Sequence, residues 1–117
     1  MRVRLGDIAY ARSGDKGSGA NVGVIAHTAA GYEMLRERLS AEVVERFFAR
    51  QGAVNVKRYE LPNLLALNFV LPKVLGGGAS LSLRIDAQGK GLGQALLEME
   101  IDVADNLVAE MRVKEQG

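Results

Sequence analysis

Arg12, Ser13, Asp15 and Lys16 stand within five positions of one another, interleaved with Gly14, Gly17 and Gly19, and Asn21 closes the stretch. Glycines let successive backbone N–H groups turn into one space, and neighbouring cations can neutralise an anion held there. The composition reads as a loop rather than a regular element. Its expected chemistry is recognition of an anionic group, a carboxylate or an acyl-CoA first. Asn68, Arg84 and Lys90 are further candidates for the same site. The stretch is not a phosphate loop of the nucleotide-hydrolase kind. Gly14-Asp15-Lys16-Gly17-Ser18 has the lysine and the serine but lacks the four-residue spacer and the following helix. A second use of the same residues is acid–base work by Asp15 and Lys16 on a carbonyl or acyl substrate. The plainest reading is a tight turn between two strands.

Other chemistry is thinly represented. His27 is the one histidine, so it cannot share a metal with a second imidazole, and no neighbour in sequence makes it a catalytic base. There are no cysteines, which excludes disulfides, thiolate metal sites and a cysteine nucleophile. No metal or cofactor is expected. Asn68 sits between Leu67 and Phe69 in an apolar run. An unpaired buried amide costs about 1–3 kcal/mol, so Asn68 should have a hydrogen-bond partner, structural or ligand. Gly76-Gly77-Gly78 reads as a flexible turn or a close backbone approach, and Lys90 as a turn residue.

These residues need a scaffold, and the composition supplies an ordinary one. The chain has 117 residues, 48% hydrophobic and 25% charged, which suits a single domain of 1–117 with its own core. Net charge is +1, but residues 91–117 carry 2 basic and 6 acidic groups against 13 and 8 before them. That acidic end, with no stripe of basic and aromatic residues, argues against nucleic acid as a partner. No run approaches the roughly 20 apolar residues of a membrane span, and no signal peptide opens the chain. A cytoplasmic location is expected.

Val3 and Leu5 alternate with arginines before Ile8 and Tyr10 take the opposite parity, which predicts a strand with an irregularity at Gly6-Asp7. Asn21 to His27 reads as a buried strand with Val22, Val24 and Ala26 on one face. Residues 32–51 carry a helical stripe through Leu35, Leu39, Val43 and Phe47, broken where Ser40 caps a second helix, and ended by Gly52. The Phe47 and Phe48 side chains are expected under the sheet. Extended segments follow at about 54–60, 64–71 and 80–86, then a helix from about 91 to 97 and a strand to about 104. Asp105 is expected to cap a short terminal helix. The order is that of a ferredoxin-like α+β sandwich: a mainly antiparallel sheet, helices on one face, and an extra N-terminal strand. The run Leu64 to Leu71 is apolar on both faces, which points to a homo-oligomer covering the second face.

Taken in order, Ala11-Arg12-Ser13-Gly14-Asp15-Lys16-Gly17, Asn21, Leu61-Pro62-Asn63, Asn68-Phe69, Leu75-Gly76-Gly77-Gly78 and Asp86 with Gln88-Gly89-Lys90 resemble one family. It is the C-terminal domain of acyclic terpene utilisation (AtuA-like) proteins, a domain also found as a short free-standing protein. The resemblance runs from about residue 5 to about 104. It implies a ferredoxin-like fold and an association with catabolism of citronellol-type terpenoids and branched acyl-CoA compounds. It also implies a protein bearing the AtuA-like N-terminal domain as a partner. It carries no catalytic residues with it. The expected role is a non-catalytic ligand-binding or partner domain, with a small acyl-transforming enzyme and a pure assembly module as the rivals.

Overall fold

Strand alternation, two serine/threonine caps and one left-handed glycine account for most of the chain's path. A computed structural model describes residues 2–16, 19–72 and 90–103. Strand β1 (Arg2–Arg4) leads into a short 3-10 turn at Leu5–Asp7, where Asp7 Oδ2 accepts from the Arg4 N–H at 3.1 Å. This turn is the irregularity expected at Gly6-Asp7. Strands β2 (Ala9–Lys16) and β3 (Gly19–Ala26) then pair antiparallel along their full lengths. The glycine-rich stretch is therefore no open loop. Gly14, Asp15 and Lys16 extend β2, and Gly19 to Asn21 open β3, because glycine tolerates the extended backbone and the ladder satisfies its N–H and C=O groups.

Helix α1 (Ala29–Arg38) starts where Thr28 Oγ1 accepts from the Gly31 N–H at 3.0 Å. Helix α2 (Ala41–Phe47) starts where Ser40 Oγ accepts from the Val43 N–H at 3.1 Å. The break read at Ser40 is thus present, and Gly52 closes the following 3-10 turn at φ 86°. Replacing Ser40 by alanine is expected to lower stability by about 1 kcal/mol, the usual worth of an N-cap, visible as a shifted urea midpoint with unchanged slope. An unmoved midpoint would mean that the cap does not contribute. Arg58 ties the far end of α1 to the sheet. Its Nη1 donates to the carbonyls of Arg36 (2.8 Å) and Leu39 (3.0 Å), groups a helix end leaves unpaired.

Strands β4 (Lys57–Leu61) and β5 (Ala66–Leu71) flank a 3-10 turn at Pro62–Leu64 and complete a four-stranded antiparallel sheet ordered β2-β3-β5-β4. Helix α3 (Lys90–Leu96) packs on β2 and β3, and strand β6 (Glu100–Asp102) pairs antiparallel with β1 in a separate two-stranded sheet. The helix-then-strand order expected for residues 91–104 is found. The fold is the ferredoxin-like α+β arrangement. The strand expected at 80–86 and the helix expected after Asp105 lie outside the described residues.

One face of the four-stranded sheet is the core. Val22, Val24, Ala26, Leu67, Phe69 and Leu71 are buried against Leu35, Leu39, Val44, Leu92 and Leu96 of the helical layer. Phe48 is buried with them at 1% exposure. Phe47 is not: it keeps 37% of its surface and meets Phe48 edge-on at 5.0 Å. The expectation for Phe47 fails because α2 ends at that residue, so the next position, rather than the last one of the stripe, turns inward. No described helix is long and apolar enough to cross a membrane.

Candidate functional site

The face of the sheet away from the helices carries the candidate site. Pairing registers place its residues in three rows running across β2, β3, β5 and β4. The first row is Tyr10, Ile25, Ala66 and Leu61; the second is Arg12, Gly23, Asn68 and Tyr59; the third is Gly14, Asn21, Val70 and Lys57. Strand alternation sends these residues to one side while their neighbours enter the core.

Two glycines shape this face. Gly23 lies directly between Arg12 and Asn68, and Gly14 lies beside Asn21. With no side chains there, the sheet surface sinks into a hollow of about 500 Å³. Tyr10, Ile25, Leu61, Leu64 and Ala66 line its apolar end, and Arg12, Asn21 and Asn68 its polar end. Neither glycine needs a left-handed backbone, since neither has a positive φ. A β-carbon on Gly23 would come no nearer than 3.8 Å to Arg12 O and Asn68 Oδ1, an ordinary contact. The absence of a side chain at Gly23 therefore opens space without being required by the fold.

The polar end is ordered by one bond. Asn21 Nδ2 donates to Asn68 Oδ1 at 3.2 Å, joining β3 to β5 on the open face. That answers the expectation that Asn68 needs a partner. The bond engages the Asn68 oxygen, which is also the Asn68 atom that would lie 3.8 Å from a β-carbon on Gly23. Arg12 is exposed and forms no ion pair among the described residues. No carboxylate occupies any of the three rows, whereas Arg12 and Lys57 both do. At the apolar end Tyr10 stacks on His27 with ring centroids 5.9 Å apart, which gives the histidine a packing role beside the hollow.

The other expected site residues are distributed as follows. Ser13 borders the hollow from within β2, but its side chain is on the opposite face, beneath α3, where a β-carbon on Gly93 would lie 3.1 Å from Ser13 Oγ. The register sets Asp15 opposite Ala20 and Lys16 opposite Gly19. The side chains of Asp15, Lys16 and Lys90 and the whole of Arg84 lie outside the described residues, as do Gly76 to Gly78. The hollow brings Arg12, Asn21 and Asn68 together, and the Ser13 hydroxyl does not join them. Sequence reading missed Tyr10, Gly23, Ile25, Leu61 and Leu64. Their signal is the period of two around Gly23, hidden because the buried valines on the other face dominate the pattern.

Among the described residues no group of three or more histidines or carboxylates is placed to hold a metal ion. The family model of the AtuA ferredoxin-like domain matches residues 3–102. No curated protein and no solved structure gives a significant match.

Proposed function

The chain belongs to the AtuA ferredoxin-like domain family, and from that premise we propose that it is a non-catalytic binding module for an anionic acyl metabolite, a carboxylate or an acyl-CoA. The family connects it with terpene utilisation. Catabolism of acyclic terpenes and branched acyl compounds is the setting in which such a ligand arises. The observation that carries the reading is the hollow over Gly23 and Gly14, apolar at one end and cationic at the other, on a face whose rows hold no carboxylate. An apolar tail and an anionic head are the two halves of that complement. Lys57 and Arg12 raise the local potential for an anion, while the apolar row offers area at about 25 cal/mol per Å² buried.

Filling the hollow is the test. Gly23→Leu projects a side chain between Arg12 and Asn68 while leaving an extended backbone that any residue adopts. Calorimetry against a panel of branched carboxylates and acyl-CoA compounds is expected to show binding by the native chain and at least tenfold weaker binding by Gly23→Leu. Circular dichroism should be the same for both. Equal affinities would place the ligand elsewhere.

A second reading draws on the exposed Tyr59, Leu61 and Leu64 at the β4 side, the last with 64% of its surface open. Self-association or docking of a protein with the AtuA-like N-terminal domain would cover them. Sedimentation at high micromolar concentration, native beside Leu64→Glu, distinguishes the two: a dimer dispersed by Leu64→Glu supports self-association, and a monomer throughout removes it.

A further inference from the structure

Resting on the binding role proposed above, we infer that the hollow is half of a site: a second copy of this chain, its open sheet face laid on the first, closes over the anionic ligand. The sheet gives the hollow a floor, and its apolar walls stay open to solvent. Tyr10, Leu61 and Leu64 line it and keep 49%, 41% and 64% of their surface exposed. An acyl chain lying there is covered on about one side, against the roughly 70–90% of its surface that small-molecule sites bury. Tyr59, exposed at the β4 end of the second row, carries the apolar surface beyond the hollow.

The chemistry of the second wall selects its source. That wall must be apolar against the acyl chain and must not carry carboxylates, which would repel the anion. A copy of the same face meets both requirements. It brings Tyr10, Leu61 and Leu64 again, a second Arg12 and Lys57, and three rows without a carboxylate. The same charges make the pairing depend on the ligand. No two-fold arrangement of these rows sets an acidic group of theirs against Arg12 or Lys57, so two bare faces bring like charges together and gain no ion pair. Area is short as well. Strands about 4.8 Å apart and rows about 7 Å apart give the face a footprint of roughly 400 Å². Two such faces bury on the order of 800 Å² together, below the roughly 1,200 Å² at which stable interfaces begin. Two bound anions neutralise the cations and their chains fill the space between the faces, so binding and pairing stabilise each other.

Octanoate and octanoyl-CoA as anionic probes, with octan-1-ol as the uncharged control, test this by sedimentation and calorimetry on the full chain. At low micromolar concentration the native chain is expected to be a monomer alone and with octan-1-ol. It should be a dimer when saturated with whichever anionic probe binds more tightly. Affinity for that probe should rise about tenfold over a hundredfold increase in chain concentration, the square-root dependence of two chains closing on two ligands. Tyr59→Lys adds a cation to the face outside the hollow. This variant should stay monomeric with the probe and bind it at least tenfold more weakly, although the added charge by itself favours an anion. Tyr59 is exposed, so thermal melts of variant and native chain should agree. Probe binding to a chain that stays monomeric, or tighter binding by Tyr59→Lys, overturns the shared site and leaves the binding role standing. A dimer present to the same extent without probe overturns the ligand-dependent pairing. Absence of binding by both anionic probes removes the shared site and the binding role together.

Discussion

Phe48→Ala is expected to destabilise the domain by about 3–5 kcal/mol, and Phe47→Ala by about 1–2 kcal/mol. The two rings are adjacent in sequence and in contact, yet one is buried at 1% exposure and the other is open to solvent over 37% of its surface. Removing Phe48 leaves a cavity among the tightly packed core residues, which relaxes only in part. Removing Phe47 deletes an edge-on ring contact and a partly buried ring, and solvent can fill the space it leaves. A domain of this size has a total stability of about 5–15 kcal/mol, so Phe48→Ala should approach the unfolding threshold at 37 °C. Urea titrations of both variants followed by circular dichroism read the difference directly. Comparable midpoint shifts would show that α2 does not present its C-terminal end to the sheet as described.

Gly93→Leu is the second large effect, and it contrasts with the tolerance expected at Gly23. Both are glycines on regular elements, but their surroundings differ. A β-carbon on Gly93 would stand 3.1 Å from Ala11 Cβ and 3.1 Å from Ser13 Oγ, closer than packed side chains normally sit. This glycine lets α3 approach β2, and Leu92 and Leu96 on the same helix reach the core because of that approach. Alanine at position 93 sets a helix-propensity gain of up to about 1 kcal/mol against crowding of about 1–3 kcal/mol, so a small net loss is expected. Leucine adds three further carbons in the same direction and must lift the helix, costing at least several kcal/mol as Leu92 and Leu96 lose burial. Thermal melts of Gly93→Ala, Gly93→Leu and Gly23→Leu should rank in that sense, with Gly23→Leu close to native. A native-like melt for Gly93→Leu would show that α3 does not pack at the described distance.

The local elements are legible in the order of residues alone. Val22, Val24 and Ala26 alternate because one face of β3 is buried, and that period is written in consecutive residues. Ser40 as a cap and Gly52 as a left-handed terminator act on groups within three or four positions of themselves, so their meaning is local too. The family motifs agree with this reading, and the family match spans residues 3–102.

The glycine-rich stretch reads as a loop and folds as a hairpin, for an instructive reason. Gly14, Gly17 and Gly19 are turn formers by intrinsic preference, but a strand partner supplies hydrogen bonds that outweigh a weak preference, and the hairpin runs on through Lys16 and Gly19. Phe47 and Phe48 show the same limit at a helix end, where a single residue of termination decides which ring is covered.

By itself the sequence determined the family, the α+β class and the helix cap at Ser40, and it named polar residues as candidates to meet an anion. What only tertiary structure decided is which of those residues share a space. Arg12, Gly23 and Asn68 are spread over more than fifty positions of chain, and no period or motif relates them. Strand pairing relates them, through a register set by burial of the opposite face: a slip of one residue would send Val22 and Val24 to solvent. The core thus fixes the open face indirectly, and the candidate site is the side of the sheet that the described helices leave uncovered.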